Sequence, residues 1–456
     1  MTSETVEFDA GRMTRGQRRI ALTAIGGYYV DGYDLLVLSG ALLGIVPELS
    51  PDPGLLGLVG ASAFVGMALG SLLTGPLTDR FGRRPVFFAS MVVFVLASLG
   101  FLLVNDVWQL IALRFCVGFA IGADMPASAA LIAEFIPSRR RGTFTGLGGV
   151  AWMLGALTAI AVTLLVFTAS GVEHWRWVMA TGAVAAVLLL FLRRRTPESP
   201  YWLRAHGRHE EAVAAWRYAT SGEEGAPASA VSGEEGSPEP VAAGGAQPAP
   251  LRLLFRRPLA IMMVMLCVYW GCNNLYGSAI LLYQPSLIKR IVTPSTFTSL
   301  LFTACTTALA VILGLIVCLW VIESIGRRFI AITGTAVAAA CTFLIWAGFG
   351  TSWLVLAAFA VTIAVINGGT SLAFYSWAPE LFPAGVRGRA VGIVNMVGKT
   401  GSVVGTLALP SMFEALGAVS FLVISALAVL NAAVTFKLAP ETRGLTLRQL
   451  EERTRA

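Results

Sequence analysis

Twelve long, predominantly apolar runs follow one another along the chain, at roughly 20–46, 55–77, 85–104, 107–134, 142–168, 174–193, 259–288, 296–322, 328–349, 352–378, 388–412 and 414–438. A helix needs about 20 such residues to cross the hydrocarbon core of a bilayer. The runs are too long and too uniformly apolar for the alternating strands of a barrel. They predict an all-α membrane protein with twelve transmembrane helices. Composition agrees. Of the 456 residues, 56% are hydrophobic and 13% charged, against roughly 25% charged in soluble domains. Mean hydropathy is +0.74. Lipid is therefore the solvent for much of the surface, and the bilayer is the first partner.

The formal net charge is +7, yet nucleic acid is not implied. The basic residues sit in short clusters between the apolar runs rather than on one face of a soluble domain. The tail at residues 1–19 carries Arg12, Arg15, Arg18 and Arg19 and lacks the pattern of a signal peptide, which places it in the cytoplasm. With twelve spans, alternate loops are then cytoplasmic. They hold 28 of the 33 lysines and arginines, and the opposite loops hold only Arg176, Lys289 and Arg290. This predicts a multi-pass protein of the cell inner (cytoplasmic) membrane with both termini cytoplasmic. Residues 20–193 form a first six-helix bundle, 194–258 a cytoplasmic linker, 259–438 a second bundle and 439–456 a C-terminal tail. Within the linker, Pro200 to Tyr218 is amphipathic. Residues 219–250, rich in Gly, Ala, Ser, Pro and Glu, are predicted to be disordered.

The chain repeats itself. Asp79-Arg80-Phe81-Gly82-Arg83-Arg84 returns as Glu323-Ser324-Ile325-Gly326-Arg327-Arg328. Glu134-Phe135-Ile136-Pro137, followed by Arg141, returns as Glu380-Leu381-Phe382-Pro383, followed by Arg387. Pro197-Glu198 returns as Pro440-Glu441. The offsets are 244, 246 and 243 residues. Such spacing implies two pseudo-symmetric six-helix halves in parallel order, a plan that places substrate between the halves near mid-membrane.

The run from Gly75 to Arg84 resembles the loop signature of the major facilitator superfamily. Pro197-Glu198-Ser199-Pro200-Tyr201-Trp202-Leu203 and Pro440-Glu441-Thr442-Arg443-Gly444-Leu445 resemble motifs of its sugar-porter-like branch. The likeness covers nearly the whole chain except 207–257. It implies two bundles rocking about a central site. It also implies a cytoplasmic gate made of Gly75, Asp79, Arg80, Gly82, Arg83, Arg84, Glu134, Arg141, Glu198, Glu323, Gly326, Arg327, Arg328, Glu380, Arg387 and Glu441, with Arg114 as a member of the latch. Asp79 is expected to accept bonds from a helix N-terminus or an arginine. The glutamine-rich seventh-helix run of hexose carriers is absent. Here that region reads Trp270-Gly271-Cys272-Asn273-Asn274-Leu275-Tyr276.

The first helix carries Asp31-Gly32-Tyr33-Asp34. A carboxylate at mid-membrane costs about 2.5–3.5 kcal/mol on insertion scales, and residues three apart share a helix face. The pair therefore reads as a proton-carrying site, or alternatively as groups solvated near the outer interface or held in structural pairs. Asp-Gly-Tyr-Asp, together with Gly122-Ala123-Asp124-Met125-Pro126, resembles the aromatic acid:proton symporters of the same superfamily. By that resemblance Lys399 occupies the place of a basic residue in the eleventh helix. Lys399 either meets a substrate anion or forms a fixed ion pair with an aspartate. Arg114 is either a structural partner of an acidic residue or part of the substrate and proton path, and Gly118 and Gly122 behind it suit close helix packing. The candidate substrate set is Lys399, Arg114, Tyr33, Trp152, Asn273, Asn274, Tyr276, Tyr375 and Asn395.

Gly398-Lys399-Thr400 is not a phosphate-binding loop, because Ile393 stands where its first glycine is required. The six cysteines lie in apolar runs without metal-site spacing, and of the three histidines His174 stands at the very start of the sixth run while His206 and His209 lie outside the runs. No cofactor, metal or enzymatic activity is expected. The leading expectation is a secondary active transporter: a proton-coupled symporter of a small organic acid, aromatic acids included, working as a monomer by alternating access. The alternatives are a sugar or polyol porter and a drug or metabolite exporter.

Overall fold

The computed structural model describes residues 13–135, 138–221, 251–257, 259–292, 295–321, 324–349, 352–382 and 384–440. Among them there are helices and no strand. The first half contains α1 (Arg15–Leu49), α2 (Pro53–Phe81), α3 (Arg83–Gly100), α4 (Val107–Phe135) and α5 (Ser138–Ser170), then α6 in two segments, Trp175–Ala180 and Gly182–Arg193. Two short helices follow, α7 (Pro200–Ala205) and α8 (His209–Ser221). The second half contains α9 (Leu259–Ile291), α10 (Thr296–Ile316), α11 (Arg327–Ala347), α12 (Ser352–Val365, continued by Ser371–Glu380), α13 (Ala384–Leu416) and α14 (Val419–Leu438). All but α7 and α8 belong to the twelve segments long and apolar enough to span a membrane.

Local chemistry sets the helix starts. Thr14 and Gln17 form a capping box at α1, Asp52 caps α2 with Pro53 in its first turn, and Ser199 caps α7 with Pro200 behind it. These polar turns carry α1 beyond the apolar run that predicts it. The expected disordered stretch starts too early. Residues 219–221 close α8, where Ala219 is buried and its carbonyl accepts the Thr14 hydroxyl. The rest, 222–250, lies outside the described residues.

The helices pack closely where small residues allow it. A Cβ on Gly118 or Gly122 would meet the backbone of Ala63 or Met67 at 2.0 or 2.2 Å, so α4 lies directly on α2. Gly32 and Gly155 bring α1 against α5 in the same way: their Cβ positions fall 1.8 Å from the Trp152 carbonyl and 2.0 Å from that of Tyr29. The bundle is thereby two six-helix halves that meet through α1 with α9, α2 with α13 and α5 with α10. Away from the arginine-rich loops the halves are fastened by Tyr283, whose hydroxyl donates to the carbonyls of Leu56 (3.0 Å) and Thr406 (3.2 Å). Ser39 adds a bond to the Leu281 carbonyl. The α12 helix is interrupted by one π-helical turn, Ile366–Thr370. Such turns often mark functional positions, and this one borders the cavity described next.

Candidate substrate cavity

A cavity of about 1070 Å³, its open mouth included, lies between the halves. From the first half it receives Tyr28, Asp31 and Asp34 on α1, Phe64 and Met67 on α2, Arg114 on α4 and Trp152 on α5. From the second it receives Trp270, Asn273, Asn274 and Ser278 on α9, Asn367, Ser371 and Tyr375 on α12, and Lys399 on α13. Of the predicted substrate set, Lys399, Arg114, Trp152, Asn273, Asn274 and Tyr375 line this space. Tyr33, Tyr276 and Asn395 do not. Tyr33 points from the other side of α1 to the Thr181 hydroxyl (2.7 Å), and Tyr276 accepts from Asn431 of α14 (3.3 Å). Asn395 sits one turn before Lys399, toward the arginine-rich end of α13. Helical phase separates Tyr33 and Tyr276 from their cavity-facing neighbours, whereas Asn395 shares the face of Lys399 and differs in depth along α13.

The two α1 carboxylates have different surroundings. Asp34 accepts from Arg114 Nη1 at 2.6 Å, and both side chains are almost wholly buried. Arg114 Nε and Nη2 have no acceptor among the described residues. This places Arg114 within the cavity wall, and not in the latch at the arginine-rich end. The cause is position: Arg114 is in the second turn of α4, which starts at the opposite end. Asp31, also buried, lines the cavity with Trp152 and is attracted across it by Lys399. Lys399 forms no ion pair among the described residues. Its ammonium is 3.6 Å from the Met67 sulfur and 5.7 Å from the centre of the Phe64 ring. On the second half, Trp270 stacks on Phe374 with ring centres 3.8 Å apart, and Tyr375 stands edge-on to it. Asn273 accepts from Thr370, and Asn274 donates to the Trp270 carbonyl. An ammonium, a carboxylate, amides and aromatic faces in one space suit a small solute that carries charge or hydroxyls.

Sequence reasoning missed a second buried pair. Arg193, the last residue of α6, binds both carboxylate oxygens of Asp124 and the carbonyls of Phe87 and Thr23, with the Phe87 ring 3.4 Å away. Charge counting by itself enters Arg193 only among the 28 basic residues of the cytoplasmic side. The signal was the lone aspartate of the fourth run, which needs a cation if it is buried. Ser278 and Asn367 were missed as well, although an asparagine beside two glycines inside a span is a legible mark.

At the arginine-rich end, Glu198 accepts from the backbone N–H groups of Arg83, Arg84 and Ser199 at 2.8–3.0 Å, capping α3. Gly82, with φ +92°, makes the turn that presents them, and Gly326, φ +103°, repeats it. The expectation for Asp79 is corrected. Its side chain is exposed in the last turns of α2, and only its backbone carbonyl is engaged, by Trp202 Nε1. Glu198 takes the helix N-terminus because it enters from beyond the turn. In the second half Arg327 pairs with Glu380 at 3.0 Å, and Arg328 donates to the Phe436 carbonyl. Gly75 and Arg80 are exposed, Arg80 above the Phe81 ring. The side chains of Glu134, Arg141 and Arg387, and the residues Glu323 and Glu441, lie outside the described part.

Twelve spans in two repeated halves around a central cavity define a multi-pass transporter of the major facilitator type. The chain belongs to the Sugar (and other) transporter family, which it matches over residues 20–453. It is 30% identical to the putative metabolite transport protein YaaU of Escherichia coli, over 98% of this chain and 97% of that protein. It is 26% identical to the niacin transporter NiaP of Acinetobacter baylyi, over 93% and 94%. Among solved structures, the partially occluded inward-open xylose transporter XylE of E. coli superposes with a TM-score of 0.77 at 22% identity, over 95% of this chain and 100% of that one.

Proposed function

We propose that the protein is a proton-coupled symporter of a small organic acid, aromatic acids included, working by alternating access as a monomer. It sits in the inner membrane with both termini cytoplasmic, and its halves divide at the linker 194–258. One observation carries the substrate class: Lys399, midway along α13, faces the cavity with no carboxylate bound to it among the described residues. A lysine inside a span is costly unless it meets an anion or water, and a substrate carboxylate would supply the anion. Asp31 and Asp34 carry the proton. Tyr28, Trp152, Trp270 and Tyr375 offer faces to a ring. A relative named for niacin, a ring-bearing carboxylic acid, fits this reading.

A sugar or polyol porter is the second reading. The amides and hydroxyls of Asn273, Asn274, Asn367, Ser278 and Ser371 on the second-half wall favour it, as does the family's description. Uptake of labelled acids and sugars into proteoliposomes under an imposed pH gradient separates the two, with Lys399→Gln beside the native protein. The acid reading expects accumulation of an acid with the gradient, and at least a tenfold rise in its KM in Lys399→Gln at unchanged folded yield. Unchanged affinity for the acid in that variant removes Lys399 from recognition and moves the sugar reading to first place.

A further inference from the structure

The rim where α3 begins and α6 ends carries three arginines that no carboxylate neutralises among the described residues. Arg84 reaches from α3 to α6, its Nη2 donating to the Arg194 carbonyl at 3.0 Å. The Arg194 guanidinium lies 3.7 Å from the centre of the Phe191 ring. Arg195 is exposed and makes no hydrogen bond or ion pair among the described residues. The carboxylate of Glu198, which meets the start of α3, is occupied by three backbone N–H groups. Directly along the two helices, large apolar side chains are turned outward: Phe191 is 59% exposed, Leu192 47% and Phe88 40%. Cations above exposed apolar side chains, at the end of membrane-spanning helices, lie at the level of the lipid headgroups.

The second half builds the same device. Arg328, at the start of α11, donates to the Phe436 carbonyl at 3.0 Å near the end of α14. Phe436 is 65% exposed, Phe329 53%, and Lys437 follows. An arginine fixed to the end of the last helix of each half, beside an outward phenylalanine and further basic residues, thus recurs with the internal repeat. Loop charge that only sets topology needs no such fixed arrangement.

We propose that the Arg84–Arg194–Arg195 rim is a binding site for the headgroup of an anionic phospholipid, with Phe88, Phe191 and Leu192 against its acyl chains. The apolar strip beneath the guanidinium groups favours a lipid over a free anion. Basic pockets between spanning helices take such headgroups elsewhere.

The test uses the purified full-length protein in detergent, incubated with equal amounts of phosphatidylglycerol and phosphatidylcholine of matched chains. Retained lipid is counted by native mass spectrometry. The native protein should retain phosphatidylglycerol preferentially. The Arg194→Gln/Arg195→Gln variant should lose roughly tenfold or more of that retention, while phosphatidylcholine is unaffected and Arg194→Lys/Arg195→Lys restores most of it. Should the double variant not fold, Arg195→Gln, which breaks no hydrogen bond or ion pair among the described residues, is read in the same way with a smaller loss. Native-level phosphatidylglycerol retention in the glutamine variants overturns the site. Displacement of the lipid by millimolar inorganic phosphate overturns the lipid assignment.

Discussion

Replacing Asp34 by Asn tests whether the cavity wall rests on its buried ion pair. The Asp34 carboxylate and Arg114 Nη1 are 2.6 Å apart, with side-chain exposures of 6% and 0%. Two unit charges about 4 Å apart attract by about 4 kcal/mol at an effective dielectric constant near 20. Arg114 already has two N–H-bearing nitrogens without an acceptor among the described residues, so removing Asp34 takes away its one carboxylate partner there and strands the charge. Stranding one member of a buried pair costs about 3–5 kcal/mol, whereas replacing both by apolar groups of similar volume is often nearly neutral. Asp34→Asn should therefore be strongly destabilised, and Asp34→Asn/Arg114→Met much less so. Asp31→Asn, which breaks no ion pair, should stay close to the native protein. Thermal unfolding of the purified proteins in one detergent gives the order, and denaturant titration closes the cycle with a coupling of about 3 kcal/mol. A double variant no more stable than Asp34→Asn would refute the reasoning.

Three further outcomes are expected. Gly32→Val puts a Cβ 1.8 Å from the Trp152 carbonyl. It forces α1 off α5, at about 1–3 kcal/mol or more, and should lower both folded yield and substrate affinity. A variant with native yield and native KM would mean that the helix contact is not tight. Glu198→Gln loses its charge-assisted bonds to the start of α3 and should cost about 1–2 kcal/mol, read as a lower unfolding temperature; an unchanged temperature contradicts the cap. Replacing 222–250 by a short Gly/Ser link should leave proteoliposome uptake intact, because the composition of that segment promises no packed contact; complete loss of uptake would show that it docks.

Hydropathy made the twelve spans and the two halves legible, because a bilayer imposes length and composition on every helix that crosses it. The cavity-facing aspartates were legible for the same reason: a carboxylate in a span has to be accommodated. What escaped was direction. Tyr33 and Tyr276 lie within one or two residues of Asp34, Asn274 and Gly277 in sequence but face Thr181 and Asn431, a difference of helical phase that depends on how neighbouring helices rotate. Pairings between distant helices escaped for a similar reason. The partners of Asp34 and Asp124 are Arg114 and Arg193, 80 and 69 residues away, and no local pattern connects them. The Glu198 cap replaced the expected Asp79 contact because a loop folding back over a helix start is a tertiary event.

The buried charge is divided unequally between the halves. Among the described residues, the first half contains Asp31, Asp34, Arg114, Asp124 and Arg193 within its spans. The second half is held by neutral bonds: Gln284 to Thr306, Asn431 to Tyr269 and Tyr276, and Tyr269 to Thr370. Its Arg327 is at the arginine-rich rim, paired with Glu380. Lys399 thus extends into the cavity from a largely neutral helix layer, and the charge that attracts it is Asp31 on the other half. In a low-dielectric interior that attraction is stronger at any given distance than it would be in water. On the proposed alternating cycle the halves move about the cavity, so the distance between Lys399 and Asp31 changes as the cavity changes its opening. On the proposed reading, a substrate anion bound to Lys399 weakens that residue's hold on Asp31. Were the proposed symport to take one anion with one proton, the cavity's net charge would be unaltered, and the loaded carrier would turn over without moving an extra charge through the membrane.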